Sequence, residues 1–99
     1  MADSHQRLET FEELCRYVAV TLSRLETLQE NRFPLSQQVL CRAGKPCGVY
    51  FSLHGPRALR LTAIWETDGN TILFYGSCGR RMHRTRLLAS PPIESLNHA

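Results

Sequence analysis

Residues 76–88, GSCGRRMHRTRLL, concentrate the side chains of this chain that are best suited to chemistry: four arginines, a histidine and a cysteine. Arginine presents a planar fork of donors that fits phosphate and carboxylate groups. The stretch follows a predicted strand, and a predicted turn brings a fifth arginine to the same end of the sheet. We therefore predict a basic rim that contacts an anionic group through Arg57, Arg80, Arg81, Arg84 and Arg86.

An enzymatic use of this stretch is one alternative. Cys78, Arg84 and Thr85 match the C-x5-R-[ST] pattern and so resemble cysteine-dependent phosphatases, in which a loop holds phosphate while a thiolate attacks phosphorus. The resemblance covers this motif only, because those enzymes set the loop between a parallel strand and a helix in a longer α/β domain. The chain is therefore predicted not to be an enzyme, and no catalytic residue is assigned.

A zinc site is the second chemical alternative. Cys41, Cys47, Cys78 and His83 supply ligand types that zinc accepts, but structural zinc sites use closely spaced pairs. Strands of the predicted length would hold the two pairs about 20 Å apart. We therefore predict neither a metal ion nor another cofactor, and we expect the cysteines to be reduced thiols.

An amphipathic helix is predicted near the amino terminus, where apolar residues recur at alternating spacings of three and four. Thr10 and Glu13 match a capping box, and Asp3 or Ser4 offers an earlier start. Pro34 lies beyond the end of the helix, whose length is roughly twenty residues. The apolar stripe consists of Leu8, Phe11, Cys15, Val18, Leu22 and Leu25.

The hydrophobic period then changes to two, which is typical of strands. Short connections predict an antiparallel meander in chain order. The fold class is thus α+β, a long N-terminal helix packed on a four-stranded antiparallel meander sheet. Residues after Gly79 allow a short fifth element, either an edge strand or a helical turn. The four predicted strands are 37–43, 47–54, 58–66 and 70–76.

One helix covers one face of a sheet, so the second face needs another explanation. The face with Val49, Phe51 and Leu61 is the expected partner of the helix. The other face carries large apolar side chains beside an arginine, which is more apolar surface than a solvent-facing sheet usually exposes. The predicted interaction patch on that face consists of Tyr50, Arg60, Ile64, Leu73 and Tyr75.

Length and charge set the remaining limits. The 99 residues predict a single α+β domain over 1–90 with a flexible tail at 91–99. No stretch approaches the ~18 apolar residues of a membrane span, so we expect a cytoplasmic protein without a membrane partner. Residues 1–30 carry six acidic and three basic side chains, whereas residues 31–99 carry nine basic and three acidic ones.

These observations favour a small non-enzymatic binding domain. A protein partner or a second copy of the chain is expected on the free sheet face, with the basic rim contacting an anionic group. The alternative is RNA or single-stranded DNA binding through the rim and the aromatic residues Tyr50 and Tyr75. A phosphatase-like enzyme using Cys78 and Arg84 ranks third, and whether residues 80–99 cover the free face is left open.

Overall fold

The computed structural model describes residues 2–30 and 32–93. Its elements confirm the α+β class, with one helix beside a single mixed sheet. In chain order the elements are β1 (Ala2–Arg7), α1 (Phe11–Leu25), β2 (Leu35–Arg42), β3 (Lys45–His54), a 3-10 turn (Pro56–Ala58), β4 (Arg60–Glu66), β5 (Thr71–Tyr75) and β6 (Arg81–Ala89).

The sheet has six strands in the order β1-β6-β5-β4-β3-β2, so the prediction of four strands was wrong. The predicted antiparallel meander is nevertheless present as β2 to β5, and each of these four strands overlaps one of the predicted strands. The undecided segment after Gly79 is the nine-residue strand β6, which lies inside the sheet between β5 and β1.

Strand β1 was not predicted from the sequence. It runs parallel to β6, with Asp3 opposite Arg84 and His5 opposite Arg86. Asp3 and Ser4 therefore do not start a helix. The segment ADSHQR has no apolar alternation, and its pairing partner lies about 80 residues further along the chain. Local pattern could not reveal a strand that is fixed by a contact so distant in sequence.

Helix α1 begins where the capping box predicts. The Thr10 hydroxyl accepts a hydrogen bond from Glu13 N at 3.1 Å, and the Glu13 carboxylate accepts one from Thr10 N at 3.1 Å. The helix is 15 residues long rather than about twenty. It ends early because Thr27 adopts a left-handed φ of 53° while Leu28 N donates to Ser23 O.

The core lies between α1 and one face of the sheet. Leu14, Val18 and Leu22 of the helix are fully buried. They pack against a buried sheet face, as predicted, so the two faces of the sheet were assigned correctly. The buried sheet residues are Val49, Phe51, Leu53, Leu61, Ala63, Trp65, Ile72, Phe74 and Leu87.

Residues beyond β6 continue to contact the core. Pro91 is buried and Ile93 packs against the core cluster on the helix side of the sheet. Of the predicted flexible tail at 91–99, residues 94–99 lie outside the described residues. No helix in the described part of the chain combines the length and the apolar character needed to cross a membrane.

Candidate functional site

The sheet face turned away from α1, here called the open face, holds the complete predicted interaction patch. Tyr50, Arg60, Ile64, Leu73 and Tyr75 all alternate with core residues on their strands and so point to this side. No helix or strand among residues 2–30 and 32–93 packs over it. The open face is therefore not covered by another element of the described chain.

A single cross-strand row crosses the whole open face. Neighbouring strands place Tyr50 opposite Ile64, Ile64 opposite Leu73, and Leu73 opposite Arg84. The three apolar members are half-buried, since cross-strand neighbours shield one another. Polar residues close both ends of the row, which reads Gln38, Tyr50, Ile64, Leu73, Arg84, Asp3.

Arg84 and Arg86 lie at the β1 side of the open face. The guanidinium of Arg84 is 3.2 Å from the Asp3 carboxylate, whereas Arg86 has no carboxylate within 4.0 Å in the described part of the chain. His5 and Thr71 flank Arg86 on the adjacent strands. Together with Ser4, these five side chains border a polar depression of about 130 Å³.

The other three predicted anion contacts lie at a distance from this depression. Arg57 occupies the β3–β4 turn with a left-handed φ of 57°, and Arg80 lies in the turn before β6. Arg81 is opposite Tyr75 at the start of β6. Since β6 is extended, Arg81 and Arg86 are about 17 Å apart along the strand. Arg57, Arg80 and Arg81 thus lie at one end of the sheet, whereas Arg84 and Arg86 lie further along β6, so the five arginines do not form a single cluster.

The residues of the phosphatase-like motif are likewise spread out. Cys78 lies exposed in the turn before β6, whereas Arg84 is the fourth residue of that strand. A phosphate-holding loop wraps its amides around one point, but an extended backbone from Arg81 onward carries Arg84 away from Cys78. Cys41 and Cys47 belong to the opposite end of the sheet. No group of three or more metal-ligating side chains occurs in the described ranges.

A hydrogen-bonded cluster on the helix side of β1 escaped the sequence analysis. Ser4 Oγ lies 2.9 Å from His83 Nε2 and 3.0 Å from Thr85 Oγ1, and the hydroxyl of Tyr17 lies 2.7 Å from Thr85 Oγ1. Thr85 is fully buried, so these contacts satisfy its hydroxyl. The cluster joins β1, β6 and α1 beside an open groove of about 340 Å³.

His83 is the titratable member of this cluster. Burial lowers the pKa of its imidazole, and the nearby Asp3 carboxylate opposes that shift. The hydrogen-bond partner of His83 Nε2 is Ser4 Oγ, and the tautomer of the ring decides which of the two atoms donates. The signal available in the sequence was alternation within RMHRTRLL, which places His83, Thr85 and Leu87 on one side of a strand. Because β1 was not predicted, no neighbouring strand could be assigned to His83 and Thr85 from the sequence.

Comparison of the chain with protein-family models, with curated proteins and with solved structures finds no match.

Proposed function

We propose that this chain is a small binding domain whose open face recognises a segment of another protein that carries acidic residues beside apolar ones. The observation that supports this most directly is the register of the central row, in which Tyr50, Ile64 and Leu73 are continuous and end on Arg84. An apolar strip bordered by a guanidinium matches a partner that alternates apolar and carboxylate groups.

The charges around the strip agree with an acidic partner. Arg60, Arg81 and Arg86 have no carboxylate within 4.0 Å in the described residues, so their guanidinium groups are available. Glu66 and Asp3 also lie on this face, and Asp3 is already paired with Arg84. The balance on the face is positive, which raises the association rate of an acidic partner and makes that rate sensitive to salt.

A peptide of alternating glutamate and leucine provides the direct test. Titrated into isotopically labelled protein, it should shift the backbone amide resonances of Ile64, Leu73 and Arg84. Substitution Leu73→Gln should weaken the binding about tenfold, since it removes one apolar contact of roughly 1.4 kcal/mol. Arg86→Glu should weaken it further at low salt. Arg16→Glu is the matched control, because Arg16 is an exposed arginine on α1.

Three outcomes would overturn the proposal. One is no measurable binding up to about millimolar peptide, which is the weak end of specific affinity. Another is a shift pattern confined to the groove beside Tyr17 and His83. The third is equal weakening by Arg86→Glu and Arg16→Glu, which would mean that charge acts without the open face.

Nucleic-acid binding is the second candidate, favoured by one specific observation. Tyr50 and Tyr75 share the open face with Arg81 and Arg84, and base stacking on aromatic side chains flanked by arginine is common in sheet-based binders. A mixed-sequence oligonucleotide should then bind with an affinity that falls steeply between about 50 and 200 mM salt. Affinity unchanged by Tyr50→Leu and Tyr75→Leu would exclude stacking as its source.

A further inference from the structure

The two outer edges of the sheet differ in how they are protected. Strand β1 has six residues, exposes Asp3, His5 and Arg7, and has a register break before Arg7. Charges and irregularities of this kind prevent edge-to-edge pairing. Strand β2, Leu35–Arg42, has eight residues without proline or glycine and no charge before its last residue. The register break of β2 comes only after Leu40, so residues 35–40 form a regular edge without charges, whereas β1 exposes charges along its length.

The hydrogen bonds of β2 show which backbone groups face outward. His54 N of β3 donates to Pro34 O at 3.0 Å, and in an antiparallel ladder the bonded residues alternate. Ser36 and Gln38 accordingly bond to β3, opposite Ser52 and Tyr50. The amide and carbonyl groups of Leu35, Gln37 and Val39 point away from the sheet. In the described residues no strand pairs with this outer edge.

We infer that β2 pairs with β2 of a second copy of this chain, antiparallel and about a two-fold axis at Gln37. Leu35 then lies opposite Val39 of the partner subunit, and Gln37 lies opposite Gln37 of the partner subunit. Leu35, Gln37 and Val39 each exchange two backbone hydrogen bonds with the residue opposite in the partner, which gives about six backbone hydrogen bonds across the axis. The inference is independent of the proposed function, because it uses the sheet edge and not the open face.

The sequence of β2 is self-complementary in this register, which identifies a second copy as the occupant. Reading outward from Gln37, polar Ser36 meets polar Gln38, and apolar Leu35 meets apolar Val39. Within the paired segment 35–39 no charged residue meets another. Moving the axis to Gln38 would instead set Val39 against Gln37. It would also carry the pairing of Leu35 to Cys41, beyond the register break of β2.

Because the charged edge of β1 disfavours pairing, the association ends at a dimer and does not continue as an open chain of copies. A head-to-tail contact between β2 and β1 of the next copy would place the exposed Asp3, His5 and Arg7 against an uncharged strand and would extend without limit. Pairing of β2 with itself consumes the unprotected edge of both copies. Both helices then lie on one side of the joined sheet, and both open faces lie together on the other.

Charge substitutions at Gln37 test the axis directly. Gln37 is exposed, and Gln37→Lys or Gln37→Glu sets two like charges opposite each other in the dimer. Sedimentation equilibrium should give a dimer of the 11.3 kDa chain for the unchanged protein. Each variant should dissociate about fivefold more readily. An equimolar mixture of the two variants should recover the original affinity, because lysine then faces glutamate.

Gln38→Lys is the matched control, since it adds the same charge to the same strand but faces Ser36 of the partner subunit. It should dimerise like the unchanged protein, and circular dichroism should confirm that every variant is folded. A folded protein that stays monomeric up to about millimolar concentration would overturn the inference. So would a dimer that both Gln37 variants leave intact, or a mixture no tighter than its components.

Discussion

His83 links the ionisation of one side chain to the stability of the fold. Its folded-state pKa lies below the usual value near 6.5 because the ring is partly buried, so the unfolded chain takes up a proton more readily. The folding stability that depends on a neutral His83 is fully present above pH about 6.5, and it is lost as the pH falls through the folded-state pKa. Protonation would also make Nε2 a donor only, so that Ser4 Oγ, 2.9 Å away, would have to accept.

Replacing His83 should therefore reduce the loss of folding stability between neutral and mildly acidic pH. We expect the urea midpoint of the unchanged protein to fall between pH about 7 and 5, and His83→Gln to lose that dependence. His5→Gln is the matched control, because His5 lies on the opposite side of the strand that carries Ser4. An equal loss of pH dependence in both variants would show that His83 is not the titrating group.

Cys15 offers a second test at the residue scale. Burial raises the pKa of its thiol to about 11, so the reactive thiolate is scarce at neutral pH. Cys41 and Cys78 are exposed on the sheet edge and the β5–β6 turn. Iodoacetamide at pH about 8 should label those two first and Cys15 only on unfolding. Peptide mass mapping against time checks the order, and prompt labelling of Cys15 in folded protein would contradict the assigned burial.

At the scale of elements, Gly48 fixes how closely β3 and β4 approach. A Cβ atom at this position would lie 2.3 Å from the carbonyl oxygen of Trp65, a backbone atom that cannot move without breaking the ladder. Gly48→Ala should destabilise the protein by about 3 kcal/mol, the upper range for overpacking. Gly44→Ala is not a neutral comparison, since Gly44 has a φ of +78°. Gly69→Ala is the better control, with 3.4 Å of clearance from its nearest neighbour.

The cap of α1 is the second feature that can be tested at this scale. Thr10 and Glu13 exchange hydrogen bonds that satisfy otherwise unpaired amides in the first turn. Thr10→Ala should cost about 1 kcal/mol in chemical denaturation, whereas Thr10→Ser should cost little. Equal losses in the two variants would mean that the side-chain oxygen is not the stabilising group.

The same elements show what local sequence can and cannot predict. The cap at Thr10 follows from the capping-box motif, and the meander strands and the buried face follow from hydrophobic periodicity, because each of these signals lies within a few residues. The patch around Ile64 and Leu73 followed from that face assignment. Strand β1 did not, since ADSHQR is polar and pairs with residues 83–89. Without β1, the contact of Ser4 with His83 could not be predicted, and the segment after Gly79 stayed undecided between an edge strand and a helical turn.

At the scale of the whole molecule, the parallel pair β1–β6 joins the two ends of the described chain. Leu8 N donates to Ala89 O, which continues the pairing past the strand end. This contact has the greatest sequence separation of any in the sheet, so it carries the largest loop-closure cost. It also separates β6, with its buried Thr85, from solvent. The first strand in the chain thus forms one outer edge of the sheet, beside β6.

Deletion of residues 1–7 tests whether this closure is part of the cooperative fold. Without β1, Thr85 loses its hydrogen bond with Ser4, and the backbone groups of β6 that pair with β1 lose their partners. We expect the free energy of unfolding to fall by about 3 kcal/mol or more, measured by urea denaturation. A protein in which Asp3, His5 and Arg7 are replaced by Asn, Gln and Gln keeps the backbone pairing. It should lose only about 1 kcal/mol, because exposed charges contribute little. If the deletion variant unfolded at the same urea concentration as the full chain, β1 would be an accessory strand and the Ser4 cluster would have no part in holding the sheet together.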